Sequence, residues 1–220
     1  RLTALDHAGN EFAETAAVDL DNPGARPVVT IASPLDGAAV AGSVEIRGTV
    51  SDATLVAHTV RVESPTGSTI LPGEGAEVVV NSLIRVWTTD TGAFPDGDYV
   101  IVIDAADHNG NRSTARVRVE VDNQDPTVQI TEPKARDLLA ADVEITIRAT
   151  VADAHDTTYR VEISNAPAQN APAVIGSGDV IDGEVSVNWT PDGATTRHVL
   201  RVVVRDAAEN ERASEPIEVF

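Results

Sequence analysis

The sequence predicts an all-β protein built from antiparallel β-sandwiches in tandem, about seven strands in each. Three observations carry that prediction. A short motif recurs at nearly constant spacing, β-branched residues alternate with polar ones at a period of two, and no stretch has the 3.6-residue apolar period of a long amphipathic helix.

The recurring motif is Asp, three residues, then Asn. It occurs at Asp6 to Asn10, Asp107 to Asn111 and Asp206 to Asn210, with the first residues 101 and 99 positions apart. Each copy is followed by an alternating stretch, at 14–20, 114–121 and 214–219. A second block begins where those stretches end: Asp21-Asn22 followed by Pro27-Val28-Val29-Thr30-Ile31 and Pro34, and again Asp122-Asn123 followed by Pro126-Thr127-Val128-Gln129-Ile130 and Pro133. Arg61-Val62-Glu63 matches Arg160-Val161-Glu162, and Trp87 matches Trp189. Three units follow: the closing strands of one module at 1–22, and whole modules at 27–123 and 126–220.

Within a module, runs such as Val117, Val119, Val121 and Val143, Ile145, Ile147 read as half-buried strands bounded by Gly, Pro, Asn and Asp. In the first whole module the expected strands lie near 28–32, 44–51, 58–64, 77–80, 83–88, 98–106 and 114–121. Strand number and module length point to two aligned sheets over one core. Trp87 and Trp189 are the expected core anchors. Tyr99, after the Asp96-Gly97 turn, stands where a corner tyrosine would close the fold, and His198 takes its place in the second copy.

The chain has 220 residues and no cysteine, so disulfides and thiolate metal sites contribute nothing. Its formal charge is -19, with 35 acidic residues against 16 Lys and Arg, and Lys134 is the sole lysine. Such a surface repels nucleic acid and anionic lipid, so neither is an expected partner. Adaptation to high salt and a GC-rich coding bias explain the Arg-for-Lys preference equally well. No apolar run reaches the length of a membrane span, and no membrane insertion is expected. The sequence shows no signal peptide and starts at Arg1 without an initiator Met, as expected of a mature or excised piece.

The order Trp87-Thr88-Thr89-Asp90, Asp96-Gly97-Asp98-Tyr99, Asp107-x-x-Gly110-Asn111, Val119-x-Val121-Asp122-Asn123, Pro126-x-Val128-x-Ile130 resembles the bacterial and archaeal Ig-like, fibronectin type III-like repeat modules of large cell-surface proteins. The resemblance spans the chain, and the second copy departs from it at Trp189-Thr190-Pro191-Asp192 and at Glu209. It implies tandem immunoglobulin-like sandwiches in an extracellular or cell-surface protein, forming a non-catalytic stalk, surface-layer or filament component. The alternative it leaves open is a spacer or binding region of a secreted protease or glycosidase. Implied partners are the neighbouring modules, other surface proteins or copies of the same chain.

Calcium is the one cofactor the residues raise. Asp104, Asp107, Asn109 and Asn111 cluster oxygen donors at short spacing, as a hard cation prefers. Asp and Asn also cap tight turns, and the turn reading outweighs the calcium one. Asp122, Asn123 and Asp125, with Asp153 from a facing loop, form a second acidic group at the junction between modules, similar in flavour to cadherin junctions. An ion there would stiffen the array, which a short linker ending in Pro already restrains. His155 beside Asp156 reads as a solvated loop pair in preference to a metal site, since one His with scattered carboxylates defines no closed ligand set. Asn111-Arg112-Ser113 and Asn188-Trp189-Thr190 are glycosylation sequons, with Asn188 expected to point outward. No nucleophile elbow, phosphate loop or dinucleotide fingerprint occurs, and no catalytic residues are assigned.

Overall fold

A computed structural model describes residues 2–5, 11–14, 24–73, 75–165, 171–192 and 197–220. Among them no residue is helical, and no helix is long and apolar enough to cross a membrane. Strands β1 (Leu2–Leu5) and β2 (Glu11–Glu14) pair antiparallel, Leu2 opposite Glu14. The remainder of 1–23, with the first copies of the motif and of Asp21-Asn22, lies outside the described residues.

The first sandwich runs through β3 (Val28–Ser33), β4 (Ala38–Val40), β5 (Ser43–Ser51), β6 (Leu55–Ser64), β7 (Gly67–Ile70), β8 (Val79–Thr88), β9 (Gly97–Asp107) and β10 (Arg112–Val121). One sheet has the order β3-β5-β8 and the other β4-β10-β9-β6-β7. Alternation sends every second side chain inward. In β5 the residues Val44, Ile46 and Val50 are buried while Glu45 and Arg47 face out, and in β10 Val117, Val119 and Val121 do the same. Trp87, 1 % exposed, sits in the middle of this core with Phe94 and Tyr99 edge-on at 5.3 and 5.5 Å.

The second sandwich repeats the plan with β11 (Thr127–Glu132), β12 (Ile145–Ala152), β13 (Thr158–Asn165), β14 (Ala173–Asp179), β15 (Glu184–Trp189), β16 (His198–Arg205), β17 (Glu211–Ala213) and β18 (Ile217–Val219). Its sheets are β11-β12-β15 and β14-β13-β16-β17, with β18 also on β16. A separate core forms around Ile147, Val161, Leu200, Val202 and Val204. Trp189 lies only partly buried at its margin, its ring 5.0 Å from that of the buried His198. The thinner aromatic cluster follows from His standing where the first sandwich has Tyr.

Local chemistry accounts for three departures from the expected strands. The expected segments 77–80 and 83–88 merge into one strand, β8, which starts at Val79. Asn81 adopts a positive φ of 48° and exchanges hydrogen bonds with the Thr49 side chain, so the ladder bulges and does not turn away. The stretch 214–219 is interrupted, because Pro216 has no N–H to give and Ser214 bonds Val202 through both its backbone N and its Oγ. Short strands β4 and β7, unmarked by any long alternating run, complete the five-stranded sheet.

Tyr99 donates its hydroxyl to Pro95 O at 2.9 Å, tying the turn before β9 to its first residues, and its burial, together with the nearby Asp96 charge, holds the phenol above its ordinary range. Tyr99→Phe should cost about 0.5–1.5 kcal/mol, the worth of one such bond, read by urea denaturation.

In the first sandwich Leu71 and Gly75 lie against β6, Leu71 donating its N–H to Val60 O at 2.9 Å. His58 and Gly75 exchange backbone bonds of 2.6 and 3.2 Å, and a Cβ on Gly75 would come within 2.1 Å of the His58 ring. His58 is 3 % exposed and its Nδ1 has no hydrogen-bond partner. Burial, and then the Arg85 charge, push its pKa below the ordinary 6.5. The unfolded chain therefore takes up this proton at higher pH than the folded one, so stability falls as pH drops through 6.5 and levels off below the folded pKa. Melting temperatures measured from neutral to mildly acidic pH should drop less steeply in His58→Leu than in the parent.

The junction between sandwiches as the candidate functional site

Four residues, 122–125, separate β10 from Pro126 and β11. The repeated Asp-x-x-x-Asn motif turns out to hold this kind of segment. Asp107 and Asn111 close the turn between β9 and β10, and the Asp107 carboxylate accepts both the Asn111 backbone N–H at 2.8 Å and its Nδ2 at 2.7 Å. The other Nδ2 hydrogen goes to Ala25 O at 2.8 Å, in the segment leading into β3. The second copy is built the same way. Asp206 accepts from Asn210 N and Nδ2 at 2.9 and 2.8 Å, and Nδ2 reaches Asp122 O at 2.8 Å. Gly110 adopts a φ of 82°, and Glu209 takes the same left-handed conformation at 75°. Thus each Asp fixes an Asn, and each Asn fixes the chain entering its sandwich.

Asp107 is buried, which alone would raise its pKa. The Asn111 side chain, followed by the backbone N–H groups of Asn111, Asn109 and Gly110, outweighs that and holds the carboxyl below its usual range. Asp104 points to the other face of β9, where it pairs with Arg61 and accepts from Thr114 Oγ1 at 2.6 Å. Asn109 is exposed at the tip of the turn. Asp104, Asp107, Asn109 and Asn111 therefore do not converge on one point, and the carboxylate of the turn is occupied by N–H donors.

The linker is gripped from both sides. Asn123 donates its backbone N–H to Asp96 Oδ1 at 2.9 Å and accepts from Thr89 Oγ1 at 2.7 Å. Gln124 Nε2 reaches Asp96 Oδ2 at 2.8 Å. The Asn123 N–H and then these side chains keep the Asp96 carboxyl below its ordinary range, overriding its desolvation. Asn123 is thus turned back to the first sandwich, while Asp125 forms an exposed pair with Arg212 of the second at 3.5 Å.

Asp122 behaves differently. Its side chain is 7 % exposed, and its Oδ1 accepts from Gln124 N at 3.0 Å. Its Oδ2 lies 2.7 Å from His155 Nδ1, in the 153–156 loop of the second sandwich. Asp153, 6 % exposed, caps the same loop by accepting His155 N at 2.8 Å. His155 Nε2 is 3.2 Å from Glu120 Oε2. His155 is therefore no solvated partner of the exposed Asp156. It is inserted between the last strand of one sandwich and the first turn of the next, where the Glu120 carboxylate first, and then Asp122, raise its pKa against the cost of burial. Sequence reasoning missed this because the partners of His155 lie more than thirty positions upstream; the usable signal was that Asp153-Ala154-His155 is the repeat of Asp52-Ala53-Thr54 with imidazole in place of hydroxyl.

Asn188 is exposed on β15, with its Oδ1 accepting from Thr146 at 3.0 Å and its Nδ2 3.3 Å from Glu144, whereas both Nδ2 hydrogens of Asn111 are engaged within the fold.

Residues 126–202 match the family described as Bacterial Ig domain. Among solved structures, the fibronectin(III)-like modules of Clostridium thermocellum CbhA are 26% identical, with 86% of this chain and 90% of that one covered and a TM-score of 0.49. The FN1–FN3 domains of chicken CNTN1 are 12% identical over 98% of this chain and 75% of that one, with a TM-score of 0.54. A tetra-tandem repeat from the extending region of a large adhesion protein is 16% identical, covering 99% of this chain and 55% of that one, at a TM-score of 0.36. None of the curated proteins matches the sequence.

Asn210→Ala should cost about 1–3 kcal/mol in urea denaturation, since it removes the Nδ2 group that serves both the buried Asp206 carboxylate and the Asp122 carbonyl. It should also free the linker: amide hydrogen exchange at 122–125 should quicken in this variant and stay unchanged in Asn188→Ala. The sequence match to bacterial Ig domains rests on residues 126–202, and the chain has the all-β sandwich fold of Ig-like and fibronectin type III-like modules.

Proposed function

We propose that this chain is a non-catalytic structural region of an extracellular or cell-surface protein, in which successive Ig-like modules are held at defined angles to form an extended stalk or filament component. In this reading the modules are 27–123 and 126–220, and 1–22 supplies the closing strands of a module before them. The observation that carries it is the linker at 122–125, whose residues are bonded to both sandwiches through Asp96, Thr89, Asn210, Arg212 and His155. A linker meant for free rotation would be rich in Gly and Ser and would leave its polar groups to water. Charge supports the reading too, because a strongly acidic surface resists side-by-side collapse of neighbouring copies.

Small-angle X-ray scattering tests it. A compact globule of this length has a radius of gyration of about 17 Å. The chain should give a clearly larger value and a distance distribution with a long tail. A value near that of the globule, or a distribution requiring many interdomain angles, would count against a fixed, extended array.

A further inference from the structure

Among the described residues, one group of side chains converges as metal ligands do: Asp122, Asp153 and His155, with one ligand atom from each lying within 4.8 Å of the others. The two carboxylates are more than nine-tenths buried and come from opposite sides of the junction. His155 Nδ1 is itself shut off from solvent. It lies 2.7 Å from Asp122 Oδ2 and 4.0 Å from Asp153 Oδ1, yet no aligned hydrogen bond satisfies it.

The opposite ring nitrogen explains what is special here. Glu120 lies 3.2 Å from Nε2, where it can accept the imidazole hydrogen, so that Nδ1, on giving up any proton, faces the two buried carboxylates as a ligand. A carboxylate behind a histidine is the usual outer support of a metal-bound imidazole, fixing its tautomer and raising its basicity. Two buried carboxylates facing one another repel unless a positive charge lies between them, and either an imidazolium proton or a metal ion at Nδ1 supplies it.

We propose that Asp122, Asp153 and His155 form an intermodule site for one divalent ion of the imidazole-binding, zinc class, with Glu120 as the positioning residue. Ligand atoms on such an ion stand roughly 3 Å apart, so the 2.7 Å and 4.0 Å separations need only small side-chain rotations to meet it. An imidazole with two carboxylates suits zinc, cobalt or nickel better than calcium, which takes six to eight oxygens. The ion takes up the Nδ1 lone pair, and any proton held there leaves to solvent. Neither sandwich has the full ligand set alone. In the preceding repeat Thr54 stands in the place of His155, so that repeat lacks the imidazole ligand. The inference goes beyond the stalk reading and stands on the junction geometry alone.

The test uses the whole chain, stripped with chelator and titrated near neutral pH. Zinc chloride is followed by calorimetry and cobalt chloride by its visible ligand-field bands. Zinc should bind at one equivalent, and cobalt should give the intense bands of a low-symmetry nitrogen and oxygen site. Both signals should be lost in His155→Ala and in Asp153→Asn. The second variant keeps the oxygen that accepts His155 N, so the loop stays folded, and near-UV circular dichroism of the tryptophans verifies this. His108→Ala, altering an exposed histidine elsewhere, should bind as the parent does, and calcium chloride should not displace zinc. The proposal fails if no stoichiometric step is seen, if the step survives in Asp153→Asn, or if calcium displaces zinc. A negative titration beside an extended scattering profile overturns the metal site and leaves the array reading standing, and the reverse result separates them equally well.

Discussion

The relation between the two sandwiches depends first on how four linker residues dispose of their polar groups. Asp122 gives its backbone N–H to Val40 and its carbonyl to Asn210, Asn123 and Gln124 turn to Asp96, and Asp125 meets Arg212. Holding one residue's backbone in a single conformation costs about 1–2 kcal/mol. At this junction that cost is offset by bonds to side chains that the sandwiches already hold rigid: Asp96 stands beside the corner closed by Tyr99, and Asn210 is itself clamped by Asp206. The turn at the end of one sandwich is thereby the socket for the chain that enters it.

The two sockets use the same residues on linkers of different length. Between the Asp-Asn pair and the Pro that precedes the first strand stand four residues, Pro23-Gly24-Ala25-Arg26, in one linker and two, Gln124-Asp125, in the other. Asn111 captures the carbonyl two positions before Pro27, while Asn210 captures the one four positions before Pro126. Its side chain finds a carbonyl at a fixed place in space, whichever residue supplies it. Sequence around the linker can thus vary without any change in the sandwich that receives it.

The strand pattern and the repeat were legible because they are written locally: alternation in β5, β10 and β12 follows from which face meets the core, and the motif spacing follows from the length of a sandwich. Trp87 was legible as a core residue for the same reason. The partial exposure of Trp189 was not, since it depends on how the smaller ring of His198 packs where the first core has Tyr99. The site was half legible. Asp122 and Asp153 could be grouped through the likeness to cadherin junctions, but Asn123 and Asp125 share their sequence neighbourhood and not their direction. His155 could be placed only by folding, because Glu120 and Asp122 approach it across the junction from a strand of the other sandwich. The arginines show the same division. The spacing of Arg61 and Glu63, and of Arg160 and Glu162, puts each pair on one strand face, yet that Arg116 and Arg201 complete the ladders depends on strand order.

The pairing of β4 with β10 has a mechanical side. The two strands run parallel, Val119 opposite Ala38 and Val121 opposite Val40, one near the start of the sandwich and the other at its end. Pulling the ends of the sandwich apart drags these strands in opposite senses along their own axes. Their hydrogen bonds are then loaded together, in shear, and cannot open one after another like a zipper. The second sandwich ties 136–139 to its last strand in the corresponding place, through Arg136 to Glu218 and Leu139 to Phe220. Tension entering along the chain meets, in each sandwich, a bond set oriented to resist it.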